Sequence, residues 1–233
     1  MELPILFKDD AIVAINKPHG LLVHRSPIAA DAQEFALQIL RDQLQKTVFP
    51  VHRLDRKTSG ILLFTFSKET LVNISNQFMD GTVSKKYIAI LRGHAPESGI
   101  IYYPLENENG KMQDAITHYK TIGYSEVPYS LGKYSSLRFS LIEAEPETGR
   151  MHQLRRHFAH IMYPIIGDRP HGCNKQNKFF KETFQMDSML LHASELSFKH
   201  PVTNEIVEIK APISSEFQRM LVTLDLEKAY ISI

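Results

Sequence analysis

Extended and helical stretches succeed one another along this chain in an irregular order, and that order restricts the fold before any single residue is weighed. Residues 10–20, Asp-Ala-Ile-Val-Ala-Ile-Asn-Lys-Pro-His-Gly, form a β-branched apolar run closed by turn residues, which predicts a strand and then a turn. Residues 21–24 resume an extended pattern. Residues 29–45 suit a helix, with Phe35, Leu37, Ile39, Leu40 and Leu44 near a 3.6 period. Two extended pieces, 49–54 and 60–66, flank the polar loop 55–59. Ser67 opens a helix running to about Met79, and Asp80-Gly81 ends it. Residues 85–93 read as a strand with Lys85, Tyr87, Ala89 and Leu91 on one face. Residues 115–122 and 135–145 are further strands, and a turn at 147–149 leads into a helix over 151–161, before Pro164. Residues 189–198 and 205–209 are extended, 214–224 form a closing helix, and 170–181, rich in Asn, Lys and Gly, are the most loop-like stretch. Neither a regular βαβ alternation nor an internal repeat is present. The expected fold is α+β, a mixed, largely antiparallel central sheet flanked by helices and loops.

At 233 residues and 43% hydrophobic content the chain can bury a sizeable core, and residues 1–233 are expected to form one compact domain. Glu2, Lys8, Asp9 and Asp10 interrupt the first ten residues, so no export signal is read there. No apolar run approaches the roughly 20 residues that span a bilayer. The one cysteine, Cys173, has no partner for a disulfide or a thiolate metal site, which fits a reducing cytoplasm. A net charge of +1 says nothing global about a polyanion partner. Locally, Arg150, Arg155, Arg156 and Arg169 cluster with His152, His157, His160 and His171, opposed only by Asp168. Such clusters are usually solvated helix faces; the bias toward arginine, a phosphate-fitting and base-stacking cation, favours a nucleic-acid contact.

In His52-Arg53-Leu54-Asp55-Arg56, alternation at a strand end places His52, Leu54 and Arg56 on one side and Arg53 and Asp55 on the other. Arginines beside Asp55 favour its ionised form, as a nucleophile or base at neutral pH requires, although an Arg-x-Asp taken alone is more often a surface network. Arg150 follows a tight turn at a helix start, where its guanidinium fork suits a carboxylate such as Asp55. Tyr87 offers a flat face to a base, and strand tyrosines are otherwise core residues. The spacing from His152 to His157 does not match the i, i+4 zinc pair of a helix, so no metal is expected.

Taken together, several segments match one family in order over about residues 9–212. They are Asn16-Lys17-Pro18 to Gly20-Leu21-Leu22-Val23-His24; His52-Arg53-Leu54-Asp55-Arg56-Lys57-Thr58-Ser59-Gly60; Lys85-x-Tyr87; Thr148-Gly149-Arg150-x-His152-Gln153-Leu154-Arg155; Pro164-Ile165-Ile166-Gly167-Asp168; and Leu191-His192-Ala193. The chain resembles the pseudouridine synthases that act on ribosomal and transfer RNA. Within them the run from Gly149 to His160, with His171-Gly172 and Val23-His24-Arg25-Ser26, is most similar to the branch that modifies position 65 of tRNA.

The resemblance implies the pseudouridine synthase fold and a cytoplasmic, cofactor-free isomerase acting on RNA, expected as a monomer without a membrane partner. It also implies that Asp55 is the essential carboxylate, that Tyr87 stacks on the target uracil, that Arg150 pairs with the aspartate and that Leu154 lines the uracil pocket. Arg53 would enter the space left by the everted base, and Arg56, Arg155 and Arg156 are expected to contact RNA. Relatives often carry an additional N-terminal RNA-binding domain, and none is expected here. Asp55 has three chemical options: attack on C1′ of the ribose, addition to C6 of the uracil, or removal of the 2′ proton. Two rivals stand beside this reading, a non-catalytic RNA-binding module and a His-dependent metallohydrolase.

Overall fold

The computed structural model describes residues 1–24 and 34–232, so Arg25, Ser26 and the start of the helix expected at 29–45 lie outside the described residues. The chain forms two compact units, Met1–Lys85 with Ala193–Ile213, and Lys86–His192 with the residues from Ser214 onward.

In the first unit, β1 (Ile5–Lys8), β2 (Ile12–Lys17), β4 (Ser59–Thr65) and β11 (Leu191–Lys199) lie in that order, with β3 (Phe49–Pro50) on β4 and β12 (Ile206–Lys210) on β11. β2 runs antiparallel to both β1 and β4, in a register that sets Lys17 opposite Gly60. Every residue of β4 is buried, which explains why it reads as a continuous apolar run rather than an alternating one. Ile12, Ala14, Ile61, Leu63, Leu196 and Phe198 pack with Ile74 of α2 (Lys68–Met79) into this unit's core. Helix α2 has the expected limits because its start is coded locally. Ser67 Oγ accepts the Thr70 N–H at 3.1 Å, and Gly81 takes φ +70° just after the end. Helix α1 (Ala36–Leu44) closes on Gln45 in the left-handed region. The segment expected to be a strand over 49–54 forms strand only at Phe49–Pro50; residues 51–58 are irregular, with bends at 51–52 and a turn at 56–57, so alternation does not set the directions of His52 to Arg56.

In the second unit, β5 (Ser84–Arg92), β10 (Leu137–Pro146), β9 (Ile116–Val127) and β6 (Ser98–Tyr102) follow one another, all antiparallel, and β7 (Leu105–Glu106) forms a separate pair with β8 (Met112–Gln113). Helices α3 (Gln153–His160), α4 (Asn174–Phe184), α5 (Ser215–Thr223) and α6 (Glu227–Ile231) complete it. The loop expected at 170–181 is corrected to helix from Asn174 onward. Its Asn- and Lys-rich sequence hid an aromatic anchor, Phe180, fully buried and edge-on to Phe139 and Phe184. Tertiary packing overrode weak local propensity there.

Candidate active site

Backbone hydrogen bonds shape the signature loop of the first unit. Thr58 N–H donates to Asp55 O at 3.0 Å, closing a turn, and Gly20 N–H donates to Arg56 O at 2.8 Å. The Arg56 side chain returns the contact, Nε donating to Gly20 O at 3.1 Å. Thr58 and Ser59 are buried, Asp55 is half-buried, and Arg53 and Arg56 are exposed.

Beneath this loop lies Lys17, which is 0% exposed. Its Nζ donates to Pro18 O at 2.9 Å, Leu21 O at 2.8 Å and Arg56 O at 3.3 Å. Burial pushes the amine down to about 7, and the negative charge of Asp55 acts in the opposite direction, favouring the ammonium. Three carbonyl acceptors match the three protons of an ammonium, so the site is built around the charged form. The motif alternation places arginines beside Asp55; Lys17, which the sequence presents only as part of Asn16-Lys17-Pro18, is a buried cation that also feels this carboxylate. Its signal was a lysine ending a strand that opens with the apolar run Ile12 to Ile15, just before Pro18.

His52 stacks on Phe78 at 5.1 Å between ring centres, and its Nε2 accepts the Leu63 N–H at 3.2 Å. A proton on that nitrogen would oppose the incoming N–H, and burial pushes the ring down to about 4. Between pH 6.5 and that value the unfolded chain binds the extra proton, so stability is expected to fall as pH drops through this window and to level off below it. The loss should be roughly 2–3 kcal/mol. Urea unfolding at pH 7 and pH 4.5, on wild type and His52→Gln, measures it; equal acid sensitivity in both would assign the effect elsewhere.

In the second unit, Tyr87 and Leu154 are brought into one apolar cluster with Ala89, Leu91, Ala144 and Phe158. Tyr87 is half-buried on β5 opposite Ala144, while Leu154 is 6% exposed on α3. Arg150 sits in the turn before α3, and Gln153 shapes that turn. Gln153 Oε1 accepts from Thr148 Oγ1 at 2.7 Å and from Arg150 N–H at 3.0 Å, while its Nε2 donates to Ile116 O at 2.9 Å. The turn is further fixed by His152 at φ +55° and by Arg150 Nε donating to Asp114 O at 3.0 Å. Gln153 is thus a positioning residue for Arg150, one that its place in the Thr148 to Arg155 motif marked without assigning a role.

The arginine cluster divides. Arg169 is exposed, and Arg156 is half-buried with Nη1 donating to Glu106 O at 2.9 Å. Arg155 corrects the expectation of an RNA contact: it is 6% exposed, and its Nε and Nη2 each donate to Asp168 at 2.8 Å, Asp168 itself being 1% exposed. Helix α3 turns Arg155 inward beside Leu154 and Phe158, and burial leaves no accessible guanidinium for a phosphate. Removing one partner of such a pair strands a buried charge, so Asp168→Asn is expected to destabilise the fold by about 3–5 kcal/mol. Chemical denaturation measures this; a loss under about 1 kcal/mol would show that the pair carries little of the fold.

The histidines do not gather. His152 Nδ1 meets His171 Nε2 at 3.0 Å, His157 bonds Thr117 Oγ1 and Tyr103 O, and His160 stacks on Tyr103. Among the described residues no three His, Cys, Asp or Glu side chains form a group that could hold a metal ion. No described helix is long and apolar enough to cross a membrane.

Residues 11–160 match the family model described as RNA pseudouridylate synthase. The chain belongs to that family. A tRNA pseudouridine synthase C from Vibrio parahaemolyticus is 43% identical over 99% of this chain and 98% of its own length. Its namesake from Haemophilus ducreyi is 44% identical over 94% of this chain and 95% of its own. Among solved structures, human RNA pseudouridylate synthase domain containing 4 superimposes with a TM-score of 0.74 at 25% identity, covering 95% of the synthase and 93% of that chain. Human RNA pseudouridylate synthase domain containing 1 gives 0.72 at 22% identity, over 91% and 84%. The expected fold class is therefore the observed one, and the synthase is an isomerase that forms pseudouridine in RNA.

Proposed function

We propose that the synthase converts uridine 65 of tRNA to pseudouridine with Asp55 as its essential carboxylate. The observation that carries this reading is the likeness, over nearly the whole of both chains, to proteins named tRNA pseudouridine synthase C. Breaking the C1′–N1 bond and rejoining the sugar to C5 requires the uridine outside the helical stack, at a cost of roughly a few kcal/mol. Stacking of the uracil on Tyr87 against the aliphatic wall of Leu154 offsets part of that cost, and Arg53 fills the space left in the RNA. Arg150 is the arginine assigned to the Asp55 carboxylate, while Arg56 and Arg156 meet the RNA backbone. The half-buried position of Asp55, on a loop whose backbone is fixed by Lys17 and Gly20, suits a carboxylate that must be ionised and held in place. None of its three chemical options calls for a metal, nucleotide or redox cofactor, and the synthase is read as a cytoplasmic monomer.

Purified protein incubated with unmodified tRNA should produce pseudouridine at position 65, mapped by carbodiimide labelling and primer extension. RNA from a deletion strain should lack pseudouridine there and retain it elsewhere. A modification missing from ribosomal RNA, with tRNA intact, would overturn the assignment.

A further inference from the structure

The second unit contains a cavity of about 630 Å3, formed by residues 131–138, the start of α4 and the end of β5, that the reaction described above does not use. Its wall is basic: Arg92, Lys133, Arg138 and Lys175 line it, and no acidic side chain does among the described residues. Glu126, nearby, is already engaged by Ser136 and by Arg138, whose Nε lies 3.0 Å from it. Arg92, Lys133 and Lys175 make no ion pair among the described residues, and the Lys133 amine sits 5.5 Å from the centre of the Tyr134 ring. Where so many cations converge without a carboxylate, an anion is the complementary ligand. The N-terminal end of α4 adds to this. Its N-cap Cys173 gives the helix no side-chain capping hydrogen bond, and Cys173, Lys175 and Gln176 all line the cavity, so the positive end of the helix dipole contributes there.

A second, independent feature is Gln176. It is 2% exposed, lines the cavity and keeps its Oε1 buried without a hydrogen-bond partner among the described residues. Buried polar atoms are nearly always satisfied, so an orphan amide oxygen in a cavity wall marks a place for a hydrogen-bond donor of a ligand. An amide oxygen accepts, which suits an N–H on the edge of a nucleobase. Tyr134, half exposed and lining the same cavity, supplies an aromatic face.

We propose that this cavity binds a phosphorylated nucleoside of the RNA substrate other than the target uridine, its phosphate among Arg92, Lys133 and Lys175 and its base toward Gln176 and Tyr134. The proposal rests on the RNA reading given above and adds a second contact, on residues outside the catalytic motifs, that distinguishes one RNA from another. Because Cys173 is the chain's only cysteine, thiol chemistry reports on this cavity alone.

The test is the rate at which iodoacetamide alkylates Cys173 in the full-length protein, alone, with saturating tRNA, and with each nucleoside 5′-monophosphate at millimolar concentration. RNA should slow alkylation at least fivefold. The double variant Lys133→Glu/Lys175→Glu, altered at two exposed positions, should abolish that protection, raise the KM for tRNA roughly tenfold and lower the salt dependence of RNA binding by about two phosphate contacts. Conversion of tRNA with no protection of Cys173 and an unchanged KM would overturn the cavity assignment and leave the enzymatic reading intact. Protection by RNA without conversion would do the reverse. Protection by a free monophosphate as strong as by RNA would overturn the assignment to an RNA strand in favour of a free nucleotide.

Discussion

Asp55→Asn is expected to reduce pseudouridine formation in tRNA at least roughly 10^3-fold while RNA affinity changes by no more than about twofold. Asparagine keeps the shape and loses the charge, and attack on C1′, addition to C6 and removal of the 2′ proton all require the charged form. The substitution leaves the ties through backbone carbonyls in place: Thr58 N–H to Asp55 O, and Gly20 N–H and Lys17 Nζ to Arg56 O. The substitution also withdraws the attraction that favours the ammonium of Lys17, so some loss of stability accompanies the loss of activity. Single-turnover formation of pseudouridine, alongside filter binding, separates the two effects. Activity within tenfold of wild type would remove Asp55 from the chemistry and leave the signature as a structural loop.

Gly60→Ala is expected to cost more than about 3 kcal/mol, measured by urea unfolding, and to impair catalysis through displacement rather than through lost chemistry. Gly60 has φ +109°, a conformation that side chains with a Cβ rarely adopt. A Cβ built there would also stand 2.2 Å from Ala193 O and 2.6 Å from Ala193 N, both backbone atoms of the neighbouring strand that cannot rotate away. Relief requires β4 to move, and β4 carries the loop bearing Asp55 while setting Gly60 opposite Lys17. A variant within about 1 kcal/mol of wild type would show that the strands can separate there at little cost. The glycine that closes the nine-residue signature therefore has a steric reason to be there.

Local signals were legible where they act locally. Ser67 and Gly81 bracket α2 because a hydroxyl cap and a left-handed glycine need only their immediate neighbours. The same holds for α5, where Ser214 Oγ accepts the Phe217 N–H at 3.2 Å. Helix α4 was illegible because its polar composition argues for a loop, and only the neighbours of Phe180 reverse that argument. His52 to Arg56 misled for the opposite reason: alternating residue types imitate a strand, yet the pairing with β4 ends at the Val51 N–H to Leu63 O bond and the segment turns.

What the sequence by itself determined is the chemistry on offer: one aspartate in a specific signature, a strand tyrosine, an arginine after a Thr-Gly turn, and an α+β order of elements. These depend on residue identity and short-range spacing. Only the tertiary structure decided which charges are available. It buried Lys17 under the Asp55 loop and turned Arg155 onto Asp168. It also set Arg92, Lys133 and Lys175, far apart in the chain, in the wall of one cavity with the buried amide oxygen of Gln176. Spacing along the chain identifies a cation, but its effect is set by how much water it keeps and which carbonyl or carboxylate it faces, and those follow from packing between residues distant in sequence.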